Sequence, residues 1–172
     1  METIKIPEER VSVLIGENGK TKKSIEKKCN VELHIEKEGD VEIIGESMEI
    51  FFAKDVVKAI GRGFAPWDAM KLAKDNMQLS IINLREFVKN ESAITRTRAR
   101  VIGEKGKMKM EIENATDSII SVYGYTVGII APLDTLEYAQ NAIMKIIDGA
   151  RLQNVSTYLS KIRKQIMISR LR

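Results

Sequence analysis

The sequence is poor in the residues that build disulfides, metal centres and membrane spans. Its 172 residues include one cysteine, Cys29, and one histidine, His34. A disulfide framework or a Cys/His zinc site cannot be assembled within one such chain, so we expect no metal, no cofactor and a reducing, cytoplasmic environment. No window approaches the roughly 18 uninterrupted apolar residues of a membrane-spanning helix, and we therefore expect no membrane insertion.

Recognisable catalytic motifs are also missing. Residues 16–21 end like a phosphate-binding P-loop, but that motif requires a glycine five positions before Gly19, where Leu14 stands. His34 alternates within a predicted strand and has no candidate partners for a catalytic triad. We expect no enzymatic activity, and a nuclease or nucleotide-dependent enzyme is the last of three hypotheses considered below.

Acidic residues are absent from the C-terminal stretch. Residues 1–65 carry 11 basic and 13 acidic side chains, residues 66–150 carry 11 of each, and residues 151–172 carry 6 basic and no acidic ones. The net charge of +4 is therefore modest but unevenly distributed. Within the neutral middle, six cations surround residues 102–107 with only Glu104 opposing them, and this local charge of +5 favours phosphate binding.

A repeated phrase is the most informative feature that is present. Residues 15–20 read Ile-Gly-Glu-Asn-Gly-Lys and residues 102–107 read Ile-Gly-Glu-Lys-Gly-Lys, 87 positions later. Two glycines three positions apart at the start of a helix leave a loop without side-chain bulk at its edges. A phosphodiester backbone can then approach the main-chain N–H groups. The repeat predicts nucleic-acid binding.

The repeat extends over two whole structural units. Apolar periodicity predicts, in each copy, the order strand, helix, glycine loop, helix, strand, strand, helix. The predicted elements of the first copy are strand 4–7, helices 8–14 and 21–28, strands 31–35 and 41–45, and a closing helix containing residues 52–60. Those of the second copy are strand 77–84, helices 91–101 and 108–114, strands 118–122 and 127–131, and a closing helix containing residues 138–146.

The predicted organisation is a first domain at residues 1–63, a connecting helix at 64–76, a second domain at 77–150 and a basic C-terminal helix at 151–172. Pro66 is expected to open the connecting helix, and Asn90 is expected to cap the helix that precedes the second loop. In the C-terminal helix, an apolar stripe with cations on the other faces predicts docking on the body, with the basic face towards RNA. The apolar stripe comprises Leu152, Val155, Leu159, Ile162 and Ile166.

This order of elements, with the glycine loop between two helices, resembles the KH domain of the eukaryotic (βααββα) arrangement, in two tandem copies. The resemblance implies an α+β fold in which each domain has a three-stranded sheet with helices on one face. It also implies that each domain clamps about four nucleotides of a single strand, the loop holding the backbone and an apolar groove receiving the bases. Candidate groove residues are Val11, Leu14, Ile15, Ile25, Leu33 and Ile35 in the first copy, and Ala99, Ile102, Met110, Ile119 and Ile120 in the second. Most of these would be core in any small α/β domain, so a groove role is expected only for the few nearest each loop.

Residues 63–72, Gly-Phe-Ala-Pro-Trp-Asp-Ala-Met-Lys-Leu, together with residues 98–107 are more specific. They resemble the archaeal branch of the two-KH ribosome-assembly proteins, the partner-of-Nob, Dim-two-like family. This resemblance implies a non-catalytic factor that binds single-stranded RNA near the 3′ end of small-subunit ribosomal RNA during its processing, beside a PIN-domain endonuclease of the Nob family. We expect a monomer. Eukaryotic relatives tend to lose the first glycine loop, whereas Gly16 and Gly19 are both present here, so RNA binding by the first copy is left open.

The two loops differ at one tip position, where the first copy has Asn18 and the second has Lys105. Arg96 and Arg100 lie one helical turn apart and could flank the same strand, so the second copy is expected to be the main clamp. The predicted RNA-binding residues are Arg96, Arg100, Ile102, Gly103, Glu104, Lys105, Gly106, Lys107 and Lys109 in the second copy, and Gly16, Glu17, Asn18, Gly19 and Lys20 in the first. The second hypothesis is a protein-interaction adaptor that recruits a processing endonuclease without clamping RNA.

Overall fold

The computed structural model describes residues 1–74 and 76–172. These residues form two compact units, Met1–Leu79 and Ser80–Arg172. The predicted domain limits after residues 63, 76 and 150 stay predictions, and Asp75, within the predicted connecting segment, lies outside the described residues.

The first unit is an antiparallel three-stranded sheet with helices packed on one face. Its strands are arranged β1-β3-β2, with Thr3 opposite Glu42 and Glu42 opposite His34. Alternate residues point to the two faces of a strand, so the row Thr3, Glu42 and His34 is solvated while Leu33 and Ile43 are buried. The elements are β1 (Glu2–Lys5), α1 (Glu8–Ile15), α2 (Lys20–Cys29), β2 (Glu32–Ile35), β3 (Asp40–Ile44) and α3 (Ser47–Gly61).

A short connecting segment packs against α3 of the first unit. It consists of α4 (Pro66–Ala69), with Pro66 at the start as predicted, followed by a 3₁₀ turn at Met70–Ala73. The predicted continuous helix is therefore two short pieces. Ala69 at the end of α4 and Leu72 in the 3₁₀ turn are both buried.

The second unit repeats the arrangement, with strand order β4-β6-β5. Its β5–β6 hairpin pairs Val122 with Val127, whereas β2–β3 pairs Ile35 with Val41, so the second turn is one residue shorter, in agreement with the predicted strand limits. The elements are β4 (Met77–Asn83), whose first three residues precede the boundary between the units, α5 (Glu91–Ile102), α6 (Lys107–Thr116), β5 (Ile119–Tyr123), β6 (Thr126–Pro132), α7 (Leu136–Ile147) and α8 (Leu152–Arg170). The predicted α+β fold, with two three-stranded sheets and a C-terminal helix, is confirmed.

Local sequence signals set the ends of the helices around each loop. The Asn90 side chain accepts a hydrogen bond of 2.8 Å from the Ala93 amide, which caps α5 as predicted. Helices α2 and α6 both end on a residue with left-handed backbone, Asn30 (φ 55°) and Asp117 (φ 50°). Short polar side chains tolerate this conformation, so both helices stop at the same point before the next strand.

Helix α8 packs on α6 and α7 of the second unit through its apolar stripe. Val155, Leu159, Ile162 and Ile166 are buried, which confirms that the helix docks on the body. At the far end, Arg170 donates a hydrogen bond to the Asp117 carboxylate at the end of α6. In the part of the chain that the structure describes, no helix has the length and apolarity needed to cross a membrane.

Candidate nucleic-acid interface

The two glycine loops have the same backbone conformation. At each of the three special positions, φ and ψ differ between the copies by at most 3°. The corresponding pairs, with φ and ψ, are Gly16 (72°, 174°) and Gly103 (75°, 174°); Asn18 (52°, 29°) and Lys105 (52°, 30°); Gly19 (74°, 15°) and Gly106 (75°, 14°). Both copies therefore present main-chain groups in one geometry.

The first glycine of each loop is required by the fold. Its φ near +70° with extended ψ lies in a region that only glycine occupies readily. A Cβ at Gly16 would lie 2.2 Å from Oγ1 of Thr21, and a Cβ at Gly103 would lie 2.7 Å from the amide nitrogen of Met108. The absence of a side chain lets the loop close onto the first turn of the next helix.

The second glycine of each loop leaves open space instead. A Cβ at Gly19 or Gly106 would have no heavy atom within 4 Å. Positive φ favours glycine here, but no protein atom occupies the space in front of it. The bare surface is therefore available to a ligand that needs close approach to the main chain.

The tip of the second loop exposes main-chain donors. The Gly103 amide donates to the Ala99 carbonyl at 2.8 Å, and the Gly106 amide donates to the Gly103 carbonyl at 3.2 Å. Between them, Glu104 and Lys105 are exposed, and among residues 1–74 and 76–172 none accepts a hydrogen bond from their amides. Helix α6 begins directly afterwards, so its positive end adds to the attraction for an anion.

Three cations around the second loop are exposed to solvent: Arg96, Lys105 and Lys107. Lys109 already has an ion-pair partner, because its ammonium lies 3.4 Å from the Glu113 carboxylate one turn along α6. Arg98 is half-buried on α5, and its Nε has no hydrogen-bond partner among the described residues. The predicted cluster of six cations thus contains three that are free to meet a phosphate without rearrangement.

Arg100 has contacts that the sequence did not predict. Its Nη1 donates to the Ile146 carbonyl at 2.6 Å, and its Nη2 donates to the Ala150 carbonyl. These bonds tie α5 to the C-terminal end of α7, where orphan carbonyls favour a cation. Of the two arginines expected to flank the RNA strand, Arg96 is exposed and Arg100 is half-buried. A contact of Arg100 with RNA stays a prediction.

The first unit makes the same connection from a different sequence position. Arg10 of α1 donates through Nε to the Ile60 carbonyl at 2.8 Å and through Nη2 to the Phe64 carbonyl at 2.9 Å. Ile60 and Ile146 are equivalent residues of the two closing helices, but Arg10 precedes its loop by six residues and Arg100 by three. Alignment of the repeats therefore does not reveal the shared role.

Of the four exposed lysines on α2, Lys20 was predicted as a binding residue, whereas Lys23, Lys27 and Lys28 were missed by sequence reasoning. They follow the first loop, which has the conformation of the second, and α2 carries five lysines against one glutamate. The signal was the run Lys-Thr-Lys-Lys-Ser-Ile-Glu-Lys-Lys, but counting charge over the whole copy concealed it, because many of the acidic residues lie on the sheet and its turn. The exposed lysines are Lys20, Lys23, Lys27 and Lys28.

Only part of the predicted apolar groove is accessible. Close to the loops, Ile15 and Ile102 are half-buried, and Ala99 precedes the second loop as an exposed small residue. Further along, Ile35 and Ile119 are half-buried and Met110 is 54% exposed. The remaining candidates, Val11, Leu14, Ile25, Leu33 and Ile120, are buried and belong to the core.

The edge of β5 faces the helix that follows the loop. Ile120 is opposite Ile129 of β6, yet its amide donates to Oε1 of Glu113 on α6 at 2.8 Å, so it points away from the sheet. Amides two residues apart point to the same side of a strand, and the Val122 amide therefore also faces this edge. The edge of β5 beside α6 thus offers both apolar side chains and main-chain polar groups.

Burial raises the pKa of the Cys29 thiol at the end of α2, and Lys28 opposes the shift. The thiol therefore stays protonated at neutral pH and behaves as a small apolar side chain. Within the described residues no group of three His, Cys, Asp or Glu side chains is placed to hold a metal ion.

Both units match known domain families. Residues 1–59 match the KH domain, and residues 78–164 match the eukaryotic-type KH domain, KH-domain type I. The chain is also 37% identical to a KH domain-containing protein of Methanocaldococcus jannaschii, over 99% of this chain and 77% of that protein.

Solved structures of archaeal proteins are similar over nearly the whole chain. Dim2p of Pyrococcus horikoshii has 38% identity and a TM-score of 0.87, covering 93% of this chain and 98% of that one. A chain of the a/eIF2alpha-aDim2p-rRNA complex of the same organism has 39% identity and a TM-score of 0.89, covering 95% and 94%. A protein of unknown function from Aeropyrum pernix has 27% identity and a TM-score of 0.91, covering 98% and 93%.

Proposed function

Because this chain belongs to the archaeal Dim2-like family with two eukaryotic-type KH domains, we propose that it is a non-catalytic, single-stranded RNA-binding assembly factor. It acts on the 3′-end region of small-subunit ribosomal RNA during maturation. KH domains bind about four nucleotides each, so two domains can hold two short stretches of one strand.

The observation that carries this proposal is the exposed glycine loop, present twice in one conformation. Each loop places bare main chain at the start of a helix, which is the arrangement that phosphates favour. The second loop adds the Lys105 ammonium at its tip, and the first loop is followed by the four exposed lysines of α2. Both loops therefore clamp the backbone, with Lys105 making the second loop the stronger.

Ribosomal RNA is proposed as the target because a relative of 39% identity has been crystallised in a complex with rRNA and a/eIF2alpha. The apolar groove and the free edge of β5 would receive the bases beside the clamped backbone. A PIN-domain endonuclease of the Nob family is proposed as a protein partner, since the family resemblance implies it. The factor works as a monomer in the cytoplasm.

A protein-interaction adaptor is the second candidate function. The first unit exposes large aromatic side chains, Phe51 at 60% and Trp67 at 74%, in a chain with few aromatic residues. Exposed aromatic side chains are common at protein interfaces. This surface is compatible with an adaptor whose loops do not bind RNA.

Titration of a single-stranded RNA with the 3′-end sequence of archaeal small-subunit ribosomal RNA separates the two candidates. With about four phosphate contacts, affinity is expected to fall about 50-fold between about 50 and about 200 mM salt. A duplex of the same sequence serves as the control, because KH grooves receive unpaired bases. Absence of salt-dependent binding, together with capture of the purified endonuclease, would favour the adaptor.

A further inference from the structure

A glutamate on the helix after each loop connects that helix to the edge of the sheet. In the second unit, Oε1 of Glu113 accepts the 2.8 Å hydrogen bond from the Ile120 amide and lies 3.4 Å from the Lys109 ammonium. The glutamate thus joins α6 to β5 across the space between them. Its side chain is only 20% exposed, so the bond is shielded from competing water.

The first unit contains the same arrangement. Oε1 of Glu26 accepts a 2.9 Å hydrogen bond from the Leu33 amide and lies 3.7 Å from the Lys22 ammonium. All three positions are displaced by 87 residues from their counterparts in the second unit. Two independent copies in one chain therefore keep the helix, the lysine and the strand amide in one geometry.

The hydrogen bond between Glu113 and Ile120 joins the two elements that would form the sides of the proposed groove. Helix α6 starts at the loop that holds the phosphates, and β5 supplies the edge beside which the bases would lie. A side chain that spans the two elements fixes the distance between the backbone clamp and the base-binding edge. It also occupies the Ile120 amide, so the free part of the edge begins at Val122.

From this geometry we propose that Glu113 is a positioning residue for RNA binding, assisted by Lys109, and that Glu26 with Lys22 has the same role in the first unit. The glutamate does not touch RNA. It sets the spacing between the loop helix and the edge strand, and so determines which bases the groove accepts. The inference rests on the proposed function, because a groove width matters only if the groove is used.

The test compares Glu113→Gln with Glu113→Ala. Glutamine keeps an oxygen that can accept from the Ile120 amide, whereas alanine leaves that amide unpaired. Affinity for the 3′-end oligonucleotide and for a poly(U) oligonucleotide of equal length is measured well below the unfolding temperature of each variant. We expect Glu113→Ala to lose about tenfold in affinity for the 3′-end sequence and to discriminate less against poly(U). Glu113→Gln is expected to stay within about twofold of the wild type.

The base selectivity separates positioning from simple stabilisation, because a residue that only stabilises the fold leaves the selectivity of the folded protein unchanged. Equal affinity and selectivity of folded Glu113→Ala and wild type would overturn the inference. A loss in Glu113→Gln as large as in Glu113→Ala would also overturn it, since the charge and not the spanning hydrogen bond would then matter. If the wild type itself fails to bind RNA, the proposed function fails and the positioning role fails with it.

Discussion

At the scale of single residues, the two glycines of each loop have different tasks. Gly16 and Gly103 are needed for folding, because a Cβ would collide with the next helix. Gly19 and Gly106 face open space, and in the proposed function their lack of a side chain lets RNA approach the main chain. A substitution at the second glycine therefore tests binding, whereas a substitution at the first mainly tests the fold.

The tip residue between the glycines is proposed to set the relative RNA-binding strength of the two loops. The two tip residues can be exchanged by Lys105→Asn and Asn18→Lys. Both variants are compatible with the left-handed backbone, since each side chain already adopts it at the equivalent position of the other copy. Lys105→Asn is expected to weaken RNA binding about fivefold and to lower the salt dependence, as expected for loss of one exposed phosphate contact. The reciprocal Asn18→Lys should strengthen binding. Filter binding at several salt concentrations measures both.

An unchanged salt dependence in Lys105→Asn would mean that the ammonium does not meet a phosphate. The doubly exchanged protein is the internal control, because its net charge equals that of the wild type. If binding depended only on net charge, the doubly exchanged protein would bind RNA with wild-type affinity, although its tip lysine would then lie in the first loop.

At the scale of elements, each loop is held by the helices on either side of it. Arg100 joins α5 to the end of α7, and Arg10 joins α1 to the end of α3. Glu113 and Glu26 join the following helix to the edge strand. The conformation shared by the two loops is therefore supported by similar contacts in both units.

Arg100→Lys should destabilise the second unit by about 1–3 kcal/mol, because lysine cannot reproduce two hydrogen bonds from one planar guanidinium. Arg96→Lys is the matched control on the same helix, since Arg96 is exposed and its replacement keeps the charge. Urea denaturation monitored by circular dichroism gives both free energies of unfolding. Equal stability of the two variants would show that the carbonyl contacts of Arg100 contribute little.

Much of the architecture could be predicted from sequence because local signals specify it. Periodicity and backbone chemistry within a few residues determine strands β1 to β3, strands β5 and β6, the cap of α5 at Asn90 and the start of α4 at Pro66. The contacts of Arg100 could not be predicted, because they depend on where the end of α7 lies in the fold. Spacing on α5 placed Arg96 and Arg100 on one face, but it could not show that an acceptor lies beside only one of them.

Lys23, Lys27 and Lys28 of α2 were missed for a different reason. Net charge over 65 residues averages a basic helix with an acidic sheet, and the sequence does not show that these lie apart. The apolar groove was overestimated because side chains such as Leu14 and Ile25 satisfy the pattern of a groove and of a core equally well. Burial decides between the two, and burial is a property of the folded unit.

At the scale of the whole molecule, the chain contains two KH domains with different distributions of charge. The first copy has its exposed cations after the loop on α2, and the second has them before and within the loop at Arg96, Lys105 and Lys107. Helix α8 adds four exposed cations, Lys161, Arg163, Lys164 and Arg170, and contains no acidic residue; Arg170 pairs with Asp117. Exposed cations suited to phosphate binding therefore lie in both units.

The most direct test of this account is the affinity of Gly106→Asp, Gly19→Asp and the double variant for the 3′-end oligonucleotide. Each substitution introduces a carboxylate where the structure leaves open space, and aspartate tolerates positive φ. Gly149→Asp is the control, since Gly149 also has positive φ and no neighbour within 4 Å but lies between α7 and α8. We predict that Gly106→Asp weakens binding more than about tenfold, that Gly19→Asp weakens it less, that the double variant does not bind, and that Gly149→Asp binds normally. Normal binding by the folded double variant would contradict the account.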